Sequence, residues 1–531
     1  ADNEYEEVKS NKKQEEENNG KVELVYGVSD RPPIGQAIVF ALQHVLAILS
    51  ANISMAKVMG MNSQISAAIF AAGFGTIIYQ LFTKFRSPIF LGLSFAFLIP
   101  LFDAQRYGFC GVVVGSVIGC LVYVIIAIII HFVGTKWIHK YFPPVIIGPV
   151  VSLIGLQLAG SAMSDFVKAD KDAKNGSYNL VAFLIAAITF IITILCSIQK
   201  KSKLVQMMPF LVGIGAGYVL AGIFSIFGYA LDVEYLKITD FTLLTDNFKP
   251  VKFTSFLYYP EFSLVEAIKE IKDKTVKVSS HIYEAFEKRT GEQSRLLNGV
   301  GTAEIAIGFI PVALVTFAEH LADHTNMGEI IGQDIVGSDP GIKFTLLGDG
   351  IGGIASTLLG VCPNTTYGES IGCVAITKNA SVFTIFLGAI ICIILGFIQP
   401  INCLLETIPS CVMGGSCLCL FGFISVSGLR LFKNVNLDDL GNLFTVSAIY
   451  ITGIGGLELK IPYHVENGVV DKTIKFSSIA VAVLSGLLTK AITDNFSDNA
   501  TKDTTENHQN NKNNDNIIIN YDVNATESKR D

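Results

Sequence analysis

Long apolar runs, each separated from the next by a few polar residues, recur along this chain from Ile34 to Ile492. A helix needs about 20 apolar residues to cross the hydrocarbon core of a bilayer. That core offers no partners to backbone N–H and C=O groups, so spanning segments must satisfy them internally. Only 16% of the 531 residues are charged, against about 25% in an ordinary soluble domain. The deficit falls in the apolar runs, so the expectation is an all-α polytopic membrane protein rather than a soluble domain with a very large core.

Fourteen apolar segments are counted. Segments 1 to 7 lie near 34–53, 65–82, 88–102, 111–133, 144–163, 179–198 and 209–228. Segments 8 to 14 lie near 303–322, 344–361, 363–378, 382–399, 402–427, 440–457 and 474–492. Lys84 and Arg86, Lys136 and Lys140, Lys200, Lys201 and Lys203, and Arg430 and Lys433 follow segments 2, 4, 6 and 12. Basic residues gather in cytoplasmic loops. Fourteen crossings from a cytoplasmic N-terminus put all four loops on that side, with both ends cytoplasmic.

Residues 1–30, rich in Glu and Lys, and residues 496–531, rich in Asn, read as disordered tails. Residues 1–30 hold no apolar signal region, so segment 1 is expected to act as the targeting signal. Residues 229–300 are too polar to span. There Val265, Ile268, Ile271 and Val276 recur at roughly helical spacing, which predicts a surface helix within an extracellular insertion. The ten cysteines mostly fall inside apolar runs and read as small buried hydrophobes rather than a metal or disulfide framework. A net charge of −7 without a basic stripe excludes nucleic acid as a partner.

The chain also echoes itself. Leu42-Gln43-His44-Val45-Leu46-Ala47 is answered by Ala318-Glu319-His320-Leu321-Ala322-Asp323, with His320 lying 276 positions after His44. Pro88, which opens segment 3, is answered by Pro363, which opens segment 10. The Pro143-Pro144 start of segment 5 is answered by Pro409 in segment 12. A repeat of seven segments is odd, so the two halves enter the membrane from opposite sides. Inverted repeats are typical of secondary transporters, whose site lies at the midplane between them.

Carboxylates at membrane depth cost about 2.5–3.5 kcal/mol on insertion scales, so each needs a reason. Glu319 closes an apolar run, and Asp323 lies one helical turn later on the same face. Two readings stand: a low-dielectric pair that takes up a proton, or a helix end already in water. Segments 3 and 10 are short and broken by Pro and Gly. Corresponding interrupted segments point to a transporter's binding site, where unwound backbone and half-helix N-termini face the cargo. Glu369 follows such a break at Gly368, among Asn364, Thr365, Thr366, Tyr367 and Ser370. Two glutamates beside open backbone suit a planar neutral molecule with several N–H donors and repel inorganic anions.

The stretches FAEHLADH, LLGDG (346–350), PNTTYGESIGCVAITK and GLSFAF resemble the nucleobase–ascorbate (nucleobase:cation symporter) family, and within it the uracil permeases, from about Ile34 to Ile492. The family's motif after the second break is an acid or amide, Asn, any residue, Gly, four residues, Thr and a basic residue. This chain has Glu369, Ser370, Ile371, Gly372, Thr377 and Lys378, with Ser370 in place of Asn. The resemblance implies two inverted seven-segment repeats in which segments 3 and 10 carry short β-like stretches. It implies a core domain (31–142 and 301–400) moving against a gate domain (143–228 and 401–495), and a homodimer.

The resemblance also implies that Glu319 and Glu369 bind the base, with Ser94, Phe95, Gly368 and Ser370 around it. Glu319 and Asp323 would couple a proton, and Gln43, His44 and Thr377 would support the site. It implies no cofactor beyond the coupling proton, and a nucleobase and the lipid bilayer as partners, in the plasma membrane. Glu369 favours uracil over purines, whose carriers usually have Gln there; Asp323 stands where some uracil permeases have His. Three alternatives stay open: a xanthine or uric acid permease, an anion transporter of the same fold, and an intramembrane enzyme built on His44, His320 and Asp323. For the enzyme, no HExxH motif occurs, and no GxSxG nucleophile elbow is expected.

Overall fold

The structure, a computed structural model, describes residues 24–135, 137, 143–167, 178–249, 251, 255–257, 259–273, 280–431, 435–466 and 469–496. Most of both expected tails lies outside these residues, as do Lys136, Lys140, Lys433 and Val276.

In chain order the first elements are α1 (Ile34–Val58), α2 (Ile65–Phe82) and β1 (Leu91–Leu93). A 3-10 turn over Phe95–Phe97 leads into the half-helix α3 (Leu98–Ala104). Then come α4 (Gly108–Val133), α5 (Pro144–Phe166), α6 (Leu180–Ile198) and α7 (Pro209–Leu231). The insertion contributes α8 (Ser263–Asp273) and α9 (Ser280–Thr290). The second half runs α10 (Gly299–Ile331), α11 (Ile342–Leu359), β2 (Asn364–Thr366), half-helix α12 (Gly368–Thr377) and α13 (Val382–Leu395). It ends with α14 (Gln399–Glu406), α15 (Ser410–Leu431), α16 (Leu440–Ile454), strands β3 (Leu459–Glu466) and β4 (Val469–Phe476), and α17 (Ser478–Phe496).

The protein is an all-α polytopic membrane protein. Among the described residues, ten helices are long and apolar enough to cross a bilayer. The 14-residue α13 and 15-residue α16 are apolar but short. At 1.5 Å per residue such a helix reaches only about 21–23 Å, less than the roughly 30 Å of a hydrocarbon core.

Several boundaries differ from expectation, each for a local reason. Segment 12 is two helices: Pro409 disfavours helical backbone before it, and the chain breaks between α14 and α15. Segment 8 continues well past residue 322, to a left-handed Gly332 at φ +66° that closes α10. Between α16 and α17 the chain forms the antiparallel strands β3 and β4, the second overlapping the expected start of segment 14. Residues 24–30 of the expected disordered tail are held in place. Val25 N–H donates to Lys378 O (2.8 Å), Ala380 N–H to Tyr26 O (2.8 Å) and Val382 N–H to Val28 O (3.1 Å).

Packing falls into two groups. The helices α1, α2, α4, α10, α11, α12 and α13 contact chiefly one another, and α5, α6, α7, α15 and α16 do the same. Small residues allow the first group to close up. A Cβ at Gly353 on α11 would lie 2.7 Å from Cys120 Sγ and 2.9 Å from Asn364 O. The second half of α11 therefore lies directly against β2.

Candidate functional site

The Pro- and Gly-broken segments become strands because their backbones pair with each other. β1 and β2 run antiparallel, with Leu91 opposite Thr366, Gly92 opposite Thr365 and Leu93 opposite Asn364. All six residues are buried. Ser94 N–H extends the ladder to Pro363 O (3.2 Å). Pairing two short strands satisfies backbone that the bilayer could not. Each strand then turns into a half-helix, so the N-terminal ends of the Phe95 turn and of α12 face one space. Free N–H groups and the positive end of the helix dipole collect there.

That space is a cavity lined by Ser94, Phe95, Glu319, Thr366, Gly368 and Glu369 together with Val151 and Ile154 of α5 and Leu420 and Ile424 of α15. It thus lies between the two packing groups. Phe95 meets Phe421 of α15 edge-on, with ring centroids 5.6 Å apart. A Cβ built on Gly368 would meet no atom within 4 Å. The protein's own packing does not demand glycine at that position, whose bare backbone borders open room.

Five expected residues, Glu319, Glu369, Phe95, Gly368 and Ser94, meet at this cavity. Asp323 does not line it. It sits behind β2 and accepts a hydrogen bond from Thr366 Oγ1 (2.8 Å). Because α10 runs on to Ile331, neither Glu319 nor Asp323 is at a helix end in water. Ser370 also departs from expectation. It is fully buried, away from the cavity, and its Oγ accepts from Phe90 N–H (3.2 Å), tying α12 to the approach of β1. Thr377 Oγ1 donates to Cys373 O (2.7 Å) at the far end of α12. Gln43 and His44 lie on α1, and Gln43 Oε1 and His44 Nδ1 are buried with no hydrogen-bond partner.

The pentapeptide Gly368-Glu369-Ser370-Ile371-Gly372 does fit the spacing of a nucleophile elbow, and it follows a strand and opens a helix, which corrects the expectation that the spacing is absent. The geometry is not that of an elbow, whose serine stands exposed: Ser370 is 0% exposed and occupied by a backbone amide.

Sequence reasoning singled out His320 but overlooked the partners it has behind the site. His320 Nδ1 and Asp349 Oδ2 are 2.6 Å apart, and His320 Nε2 is 3.1 Å from Thr345 Oγ1. Asp349 also faces the backbone N–H of Thr366. His324 Nδ1 lies 2.8 Å from His320 O, which accepts the imidazole N–H. His324 Nε2 is then the acceptor for the Tyr79 hydroxyl at 2.7 Å, which leaves Ser87 to donate to Tyr79 at 2.7 Å. Thr366 therefore has Asp323 on its hydroxyl and Asp349 by its amide. Asp349 was findable by the criterion applied to Glu319, since it too is a carboxylate inside an apolar segment.

A family model, Xan_ur_permease (Permease family), matches residues 35–460. The uracil permease of Bacillus caldolyticus is 34% identical over 471 residues, covering 88% of this chain and 94% of its own. That of Bacillus subtilis (strain 168) is 33% identical over 469 residues, with the same coverage. The putative pyrimidine permease RutG of Escherichia coli (strain K12) is 28% identical over 480 residues, covering 88% and 93%. Among solved structures, the murine Solute Carrier 26 family member A9 anion transporter superposes with a TM-score of 0.53 at 10% identity, over 88% of this chain and 69% of that one. At that identity the likeness is one of fold.

Proposed function

The chain belongs to the xanthine/uracil permease family, and on that premise we propose that it is a secondary transporter that imports uracil, or a closely related nucleobase, by proton symport. The observation that carries this reading is the convergence of Glu319 and Glu369 with the bare backbone of Ser94, Phe95 and Gly368 on one cavity. A pyrimidine ring offers N–H donors and carbonyl acceptors in one plane. The carboxylates accept from the ring N–H groups, the backbone amides donate to the ring carbonyls, and Phe95 packs on the ring. The uracil and pyrimidine permeases among its relatives support this choice of cargo.

On this reading the first packing group is the core and the second is the gate, and the fourteen segments form two inverted repeats with both chain ends cytoplasmic. The cavity lies between the groups, so moving one against the other exposes it to each side in turn. Glu319 takes the proton on the outer side. Asp323, held by Thr366, ties the charge on α10 to the strand that carries the cargo. Two copies associate through the gate and hold it still in the plasma membrane.

The test is uptake of labelled uracil into proteoliposomes under an imposed pH gradient, with thymine, xanthine and uric acid as competitors. Accumulation that collapses with the gradient and is blocked by pyrimidines is the expected result. Accumulation that persists in Glu319→Gln would overturn the proton assignment, and competition by xanthine alone would overturn the cargo.

A further inference from the structure

A second cavity lies apart from the site just described. It has a volume of about 400 Å³ and lies between the insertion helix α8 and the start of α4, walled by Val113, Val114, Leu264, Ile268, Ile271 and Leu296. That volume is in the range of small-molecule pockets. Its polar lining groups are largely spoken for. The two oxygens of Glu270 accept from Phe109 N–H (3.0 Å) and Cys110 N–H (2.9 Å), capping α4. Cys110 Sγ donates to Ala267 O (3.3 Å), and Tyr107 donates to Glu304 (2.5 Å). What is left for an occupant is mainly hydrocarbon wall.

Two observations identify the occupant. On α4, Val114 stands at the head of a stripe formed by Leu121, Ile125, Ile128 and Phe132, which are 42%, 54%, 51% and 80% exposed. Steps of seven, four, three and four residues keep all five on one helical face. A membrane-spanning helix with so apolar an exposed stripe faces lipid, and the groove opens at its end. On α8, Leu264, Ile268 and Ile271 share one face and are 36%, 42% and 64% exposed, while Glu266 and Lys269 lie on the other. Ala267 and Glu270 anchor the helix to α4, so the apolar face is left uncovered beside the first turns of a spanning helix. A short helix with that division of faces lies in the membrane interface.

We propose that α8 is an interfacial helix and that the groove between α8 and α4 holds the acyl chain of a membrane phospholipid. The insertion thereby fastens the start of α4 to the lipid surface, independently of the transport site.

The test uses the full chain reconstituted in phosphatidylcholine vesicles. The sequence has a single tryptophan, Trp137, so Trp137→Phe gives a dark background. Into it is placed Ile271→Trp or, on the opposite face, Lys269→Trp; both positions are at the surface of α8. The expected result is several-fold stronger quenching of Ile271→Trp than of Lys269→Trp when the acyl chains are brominated, with the order reversed for aqueous iodide. In parallel, native mass spectrometry should find phospholipid retained by the wild type and lost from the groove-filling Val114→Trp. Equal iodide quenching at the two positions, or undiminished lipid on Val114→Trp, would overturn the proposal. So would shielding of Ile271→Trp from both quenchers, which would mean that protein covers this face.

Discussion

The two arms that meet at the cavity are built alike and charged differently. Each is a three-residue strand running into a short helix, β1 into α3 and β2 into α12. The first arm brings Ser94, Phe95 and Ala96, with no ionisable side chain. The second brings Gly368 and then Glu369, with Tyr367 laid over Gly92 of the other strand. The far ends differ as well. The end of the first arm is clasped by the insertion: Arg289 of α9 donates to Gln105 Oε1 (2.8 Å) and to Val58 O (3.1 Å), and its guanidinium lies 3.7 Å from the centre of the Phe102 ring. The end of the second arm is clasped by residues 24–30. One arm therefore contributes shape and the other charge, and each is steadied by chain that is absent from the opposite arm.

The largest effect should follow from removing the charge from the second arm. On the proposed reading, Glu369→Ala deletes a carboxylate that accepts from the cargo. Hydrogen bonds to a charged group contribute about 1.5–3 kcal/mol, so uracil affinity should fall roughly 10- to 100-fold. Direct binding of labelled uracil to purified protein measures this. If Glu369→Ala binds normally, the division of labour between the arms is wrong.

Next comes the bare backbone of the same arm. Gly368→Ala adds a methyl group that meets nothing in the protein. Thermal stability should therefore be unchanged, while KM for uptake rises about tenfold, because overpacking a snug contact costs on the order of 1–3 kcal/mol. A variant that lost stability and kept its KM would mean that cargo does not approach this backbone.

A smaller effect is expected from the clasp on the first arm. Burial lowers the Arg289 guanidinium to about 10, so it stays charged at neutral pH. Arg289→Met keeps bulk and removes both hydrogen bonds and the cation–π contact. The contact alone is worth about 0.5–2 kcal/mol. The expected outcome is a maximal uptake rate reduced a few-fold with KM nearly unchanged, since Arg289 touches the end of the arm and not the cavity. An equal rise in KM would show that the insertion shapes the site itself.

How much of this was legible in the sequence can be argued from the same arms. Pro88, Pro363 and the glycines beside them announced two interrupted segments, because they disfavour helix where they stand. Glu319 and Glu369 announced themselves as carboxylates among apolar residues. The Asn467-Gly468 pair between alternating residues is a hairpin signal, and sequence reasoning made no use of it. The end of α10 was misplaced for a physical reason. His320, Asp323 and His324 look like the polar close of a helix, yet partners on α2, α11 and β2 let the helix continue. Those partners are distant in sequence, and no local pattern contains them.

Ser370 is the clearest such case and the subject of the smallest effect. The family resemblance put it beside the cargo, one residue after Glu369. Its actual partner, Phe90 N–H, is 280 positions away on the other arm. Ser370→Ala leaves that buried amide without an acceptor, at a cost of about 1–3 kcal/mol in stability. The expected variant unfolds at lower temperature or denaturant, with uracil affinity changed less than by Gly368→Ala. Ser370→Thr keeps the hydroxyl and should recover most of the loss if its extra methyl is accommodated. Measured stability and binding side by side separate the two roles. An affinity loss as large as that of Glu369→Ala, with stability intact, would return Ser370 to the cavity and break the distinction between the residue that binds and the residue that ties the arms together.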